Sequence, residues 1–134
     1  MADFEHARAM LRMAHKDFNA LMGMLDNVLF SDEIFGFHVQ QAVEKALKAW
    51  LSAYDEAYPP THDLARLLTL LERAGADVEP FWALVQFTIF AVQARYEEGL
   101  ADLDEPLERA IEIENVRALF AVVEKVAVKN TGSS

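Results

Sequence analysis

Apolar residues recur in steps of three and four along most of the chain, the spacing that puts them on one face of an α-helix. Over Asp3 to Leu25 the positions are Phe4, Ala7, Leu11, Ala14, Phe18, Leu21 and Leu25, which predicts a first amphipathic helix with Gly23 as a fraying point near its end. Ser31 or Asp32 then offers an N-cap, with acidic residues in the first turn where the helix dipole favours them. No proline interrupts the stretch from there to Tyr54. Its apolar stripe runs Phe35, Val39, Ala42, Val43, Ala46, Trp50, Ala53, and alanines on or beside the stripe let a neighbouring helix approach closely. The other side carries His38, Gln41, Lys45, Lys48 and Ser52, again at helical spacing. This second helix is expected to be the longest.

Tyr58-Pro59-Pro60 is expected to stop it, since proline lacks the amide hydrogen and pushes the preceding residue out of the α region. Thr61 is the expected N-cap of a third helix containing Leu64, Leu67, Leu68 and Leu71, and Gly75 its left-handed closing residue. Pro80 opens a fourth helix, Phe81 to about Tyr96, apolar nearly all round and therefore expected to be the most buried element, with Phe87 and Phe90 inside. Gly99 and the acidic run Asp102 to Glu105 form a connector, and Pro106 fits the first turn of a fifth helix. Leu107, Ala110, Ile111, Ile113, Val116, Leu119, Phe120 and Val123 supply the apolar face of that last helix. The expected architecture is all-α: an up-and-down bundle of four long helices plus a short one over residues 1–129, with residues 130–134 as a disordered tail.

Composition narrows the function classes. A hydrophobic share of 53% with 25% charged residues fits a single globular domain, and five glycines with four prolines leave little for the turns of an all-β fold. The net charge of −10, from 12 basic and 22 acidic residues, opposes extended contact with a nucleic-acid backbone, whose affinity comes from Lys and Arg neutralising phosphates. With no cysteine there is no disulfide, thiol chemistry or cysteine-zinc site. Charges scattered through Met1 to Arg12 are unlike a secretory signal. The apolar run Phe81 to Ala94 falls short of the roughly 20 residues a bilayer needs. A cytoplasmic protein that does not touch membranes is expected.

The chemistry concentrates on one helix face. His38, Gln41, Lys45 and Lys48 project from neighbouring turns and together offer an imidazole, an amide and two ammonium groups, enough to hold a phosphate and a base edge. His62 at the opening of the third helix, and Arg95 with Tyr96 at the end of the fourth, are candidates to join the same nucleotide or partner-binding groove. The competing, purely structural reading is that Glu44 and Lys48 form an i,i+4 ion pair on a solvated face, that His62 orders a turn, and that Gln41 cross-links helices. The histidines, His6, His15, His38 and His62, make no metal-ligand pair on one helix face. Neither a Gly-rich phosphate loop, a serine elbow nor a paired-carboxylate constellation is present. No metal, no cofactor and no catalytic residue is assigned.

In order and spacing, the string His38-Val-Gln-Gln-Ala-Val-Glu-Lys-Ala-Leu-Lys-Ala, the opening Thr61-His62-Asp63-Leu64 and the ending Arg95-Tyr96 resemble the HEPN family, the higher-eukaryote and prokaryote nucleotide-binding domains. The resemblance spans nearly the whole chain. It implies a helical bundle, commonly dimeric, of which many bacterial members are encoded beside a minimal nucleotidyltransferase as half of a toxin–antitoxin pair. Some members are metal-independent ribonucleases that use an R-x4-6-H motif on a late helix. Here the last histidine is His62, so no arginine of the fourth or fifth helix precedes one. Arg8 and His15 have six residues between them but lie on the first helix, away from the family's site. The resulting expectation is a homodimeric, non-nucleolytic subunit that binds a nucleotidyltransferase and a nucleotide. The alternatives are a ribonuclease toxin with a non-standard His/Arg site, and a module that senses a nucleotide.

Overall fold

A computed structural model describes residues 2–26, 29–91 and 107–128. Among these every regular element is helical: α1 (Phe4–Met24), α2 (Asp32–Ala53), α3 (Leu64–Arg73), a 3₁₀ helix (Glu79–Ala91) and α4 (Arg109–Ala127). The all-α expectation holds, and no described helix is long and apolar enough to cross a membrane.

The caps explain where the elements start and stop. Asp3 caps α1 by accepting from the His6 amide, and Ser31 caps α2 by accepting from that of Ile34. For α3 the expected Thr61 gives way to Asp63, whose carboxylate takes the amides of Ala65 and Arg66. The Thr61 hydroxyl instead accepts from the Asp63 amide and steadies the cap from outside. The α3 C-terminus closes as a Schellman turn around Gly75, at φ +95°: Ala76 N–H reaches the Leu71 carbonyl and Gly75 N–H that of Glu72. The α2 C-terminus does the same with a non-glycine residue. Asp55 sits at φ 59°, with Glu56 N–H on the Leu51 carbonyl and Asp55 N–H on that of Ser52. So α2 ends before the prolines, which only prevent its resumption.

Bonds between helix ends give the topology. Asp3 N–H donates to the Ser52 carbonyl, joining the start of α1 to the end of α2. At the other end, Arg109 donates to the carbonyls of Met24 and Phe30 and to Asp32, so the start of α4 is tied to the end of α1 and the start of α2. Arg8 reaches the carbonyl of Ala127. Helices α1 and α2 are therefore antiparallel, and α4 runs antiparallel to α1.

The expected fourth α-helix is corrected to a 3₁₀ helix over its described part; its continuation to Tyr96 lies outside the described residues. Phe81, Leu84, Phe87 and Phe90 are all buried, at intervals of three. With 3.0 residues per turn they eclipse into one straight row, whereas α-winding would spread them over about half the circumference. The rise also fits the partner. Phe81 packs edge-on to Trp50, and Phe90 lies over Gly36, so the row runs antiparallel along α2. Nine residues span about 18 Å at the 3₁₀ rise and only about 13.5 Å as α-helix, against about 21 Å of α2 between the two contacts. Phe87 and Phe90 are inside as expected, but Ile89 is exposed, and the element buried nearly all round is α2. The expected opening residue of the last helix, Pro106, lies outside the described residues; in α4, which begins at Arg109, Ile113, Val116, Leu119, Phe120 and Val123 are buried while Ile111 is exposed.

Candidate functional site

The polar face predicted on α2 divides into two clusters, each organised by a carboxylate that the sequence reading did not place in the site. The first forms where α2 crosses α1. Asp17 accepts from His38 Nδ1 at 3.0 Å and from Lys45 Nζ at 2.6 Å. A carboxylate only accepts, so Nδ1 of His38 carries the proton, and Nε2 has no hydrogen-bond partner among the described residues. All three side chains are largely shielded, and Phe37 packs edge-on to the imidazole.

The second cluster is built on Glu44. Its Oε1 accepts from Gln40 at 2.7 Å and from His62 Nδ1 at 2.7 Å, and its Oε2 from Lys48 at 2.9 Å. Gln41 adds a bond to the Gln40 oxygen at 2.7 Å. The Glu44 side chain is only 8% exposed and Lys48 11%, while His62 is 59% exposed. Burial alone drives a carboxyl pKa up. Here the hydrogen bonds from Lys48, His62 and Gln40 outweigh that penalty and hold Glu44 below its usual value of 4.5. Lys48 also lies over the Tyr58 ring, and the Tyr58 hydroxyl pairs with His6, which ties the loop after α2 to the start of α1. Burial and the nearby Glu44 charge raise the Tyr58 phenol.

The structure thus brings His62 to the α2 face, as predicted, but places Lys48 inside with a partner rather than on a solvated surface. Arg95 and Tyr96 lie outside the described residues. Both ammonium groups of the predicted site are already neutralised by carboxylates, so neither is an open phosphate ligand. The recess beside the cluster, about 360 Å³, is lined by Asp3, Ser52, Asp55, Glu56, Ala57 and Tyr58. Such a wall repels anions. What the face leaves open is the His62 imidazole, with the half-buried His38 imidazole and Gln41 amide beside it, groups suited to a base edge or a protein backbone.

Glu44 and Gln40 had a signal in the sequence: Gln40, Glu44 and Lys48 share one helical row beside the apolar stripe, where a solvated face is not expected. Asp17 had none, because its partners are 21 and 28 residues away and only the register between α1 and α2 brings them together. Arg8 and His15 do converge, in a groove between α1 and α4 where His15 Nε2 meets Glu124 at 2.8 Å. Among the described residues, no group of three or more carboxylate or imidazole side chains is arranged to hold a metal ion.

Comparison with curated proteins and with solved structures finds no match. The family model described as the HEPN domain, in contrast, matches residues 7–127, from the first turn of α1 to the last of α4 and so including both polar clusters. This chain belongs to the HEPN domain family.

Proposed function

We propose that this chain is a cytoplasmic interaction subunit of the HEPN type, which pairs with a second copy and with a minimal nucleotidyltransferase in a toxin–antitoxin-like module and does not itself cleave RNA. The observation that carries the reading is the pairing at the predicted site. A metal-independent nuclease needs a proton-transfer group beside an unpaired cation that holds the scissile phosphate. Lys45 and Lys48 are instead occupied by Asp17 and Glu44. The exposed His62 imidazole, with the half-buried His38 and Gln41 beside it, then serves binding, to the partner enzyme or to the base of a nucleotide. Homodimerisation is supported by Met22, Leu29, Phe30, Ile34 and Ile111, exposed apolar side chains where the α1–α2 loop meets the start of α4. Patches of this kind mark interfaces.

Co-expression with a minimal nucleotidyltransferase from the same genome tests the assembly. A stable complex is expected, weakened by Gln41→Ala with His62→Ala, and light scattering of the chain alone is expected to give a dimer mass. Structured and unstructured RNAs are expected to stay intact. Cleavage that disappears in His38→Ala or His62→Ala would establish the ribonuclease reading instead. Cleavage lost only in His15→Ala would move the site to the α1–α4 groove.

A further inference from the structure

With the lysines of α2 neutralised, the described residues carry a row of unneutralised positive charge on α1. Arg8, Arg12 and Lys16 follow one another at intervals of four along α1, so they share a face. Among the described residues Arg12 and Lys16 have no hydrogen-bonding or ionic partner, and Arg8 uses one donor, at 3.3 Å on the Ala127 carbonyl. Arg8 and Arg12 border a groove of about 220 Å³ between α1 and the end of α4, completed by Leu11, His15, Glu124, Ala127 and Val128. Its floor is apolar, and Val128 at the rim is 49% exposed.

We propose that this groove is a docking site for an acidic, amphipathic segment of a partner protein, which places one apolar side chain against the exposed Val128 and its flanking carboxylates on Arg8 and Arg12. The two guanidinium-bearing positions are one helical turn apart, about 6 Å along α1, the spacing that carboxylates at i and i+4 of a docked helix present in return. Arginine's planar fork suits bidentate carboxylate contacts at such a rim. Glu124 sets the direction. Its carboxylate, held by His15, makes that end of the groove unfavourable for acidic residues, so the partner's carboxylates lie toward Arg8 and Arg12. The residues that follow Val128, Lys129 to Ser134, have neither an apolar nor an acidic side chain to fill the role.

Charge alone also suits RNA, but the groove favours a peptide. Single-stranded nucleic acid is held by exposed aromatic platforms beside the basic groups; here the Phe18 and Phe120 rings are buried, and the part-exposed His15 imidazole packs on Phe120 and is bonded to the Glu124 carboxylate, which repels phosphate. The overall charge of −10 repels an acidic partner at long range. That field is screened over a Debye length of about 8 Å at physiological salt, so the local arginines decide the docked state.

The test is a random dodecapeptide library displayed on phage and panned against the full chain. The best sequence is then synthesised with a fluorescent label for anisotropy, and the site is mapped by amide shifts. Enriched sequences are expected to combine a pair of acidic residues with one large apolar residue and to shift Leu11, Arg12, Ala127 and Val128. Arg12→Glu and Val128→Asp, both exposed positions that leave the fold intact by circular dichroism, are each expected to weaken binding about tenfold. Arg12→Glu is expected to accept the same peptide with lysine in place of its acidic residues. No enrichment, enrichment of basic or uncharged sequences, shifts confined to the α2 face, or unchanged affinity in Arg12→Glu would each overturn the proposal. So would an oligouridylate that displaces the peptide by binding the same residues, which would make the groove an RNA site.

Discussion

Replacing Glu44 tests the observation on which the functional reading stands, that Lys48 is a buried, neutralised cation. Glu44→Ala removes the acceptor for Lys48, His62 and Gln40 at once and leaves the Lys48 ammonium, 11% exposed, without its counter-charge. Breaking a buried pair from one side costs about 3–5 kcal/mol. With a urea dependence of about 2 kcal/mol per molar, the denaturation midpoint falls by about 2 M, which the fluorescence of buried Trp50 reports. Glu44→Gln keeps an oxygen acceptor but loses the charge, and is expected to cost about 2 kcal/mol. Glu44→Leu with Lys48→Met removes both charges and is expected to lie within about 1 kcal/mol of the parent. The pH dependence has a definite sign. The folded-state pKa of Glu44 is held below 4.5, so its contribution is complete above the unfolded value and is lost as pH falls through the lowered one. The difference between the parent and Glu44→Gln is therefore constant from neutrality to about pH 5 and shrinks below about pH 4. A Glu44→Ala chain as stable as the parent at pH 7, or a difference that grows on acidification, would refute the reasoning. Lys48 would then be free to bind phosphate.

Three further outcomes follow from the packing. A Cβ at Gly36 would stand 2.7–2.8 Å from ring carbons of the fully buried Phe90, so Gly36→Ala is expected to lower stability in a thermal melt by about 1–2 kcal/mol despite alanine's better helix propensity. The same change at Gly23, which has open space, is expected to raise stability by about 0.5 kcal/mol, and equal effects at the two positions would count against the close approach. Arg109→Ala removes bonds to Met24, Phe30 and Asp32 and a stacking contact on Phe35, and is expected to cost about 2–3 kcal/mol by urea denaturation, with Arg109→Lys recovering less than half.

The sequence by itself determined the helical class, the positions of α1, α2 and α3, and the family, because these rest on periodicity and caps that act over a few residues. Gly75 could be read as a left-handed C-terminal residue for the same reason. The end of α2 near Tyr54 was legible, but its stop signal was not: an aspartate at positive φ, which the chain adopts only when the surrounding turn holds it there, acts before the prolines do. The winding of the Glu79–Ala91 segment was equally hidden. A row of Phe81, Leu84, Phe87 and Phe90 is compatible with two helical periods, and only the length and surface of α2 select the 3₁₀ form. At the candidate site, the residue types on the α2 face were visible but their charge state was not. Whether a lysine is an open ligand or a buried partner depends on what the neighbouring helix places opposite it. Asp17 opposite Lys45 is set by the register of α1 on α2, and the burial of Lys48 with Glu44 by the loop that folds Tyr58 and His62 over them. The i,i+4 pairing of Glu44 with Lys48 was legible in the sequence, but contacts with Asp17, Tyr58 and His62 leave no local periodic trace, so they were decided by the tertiary structure alone.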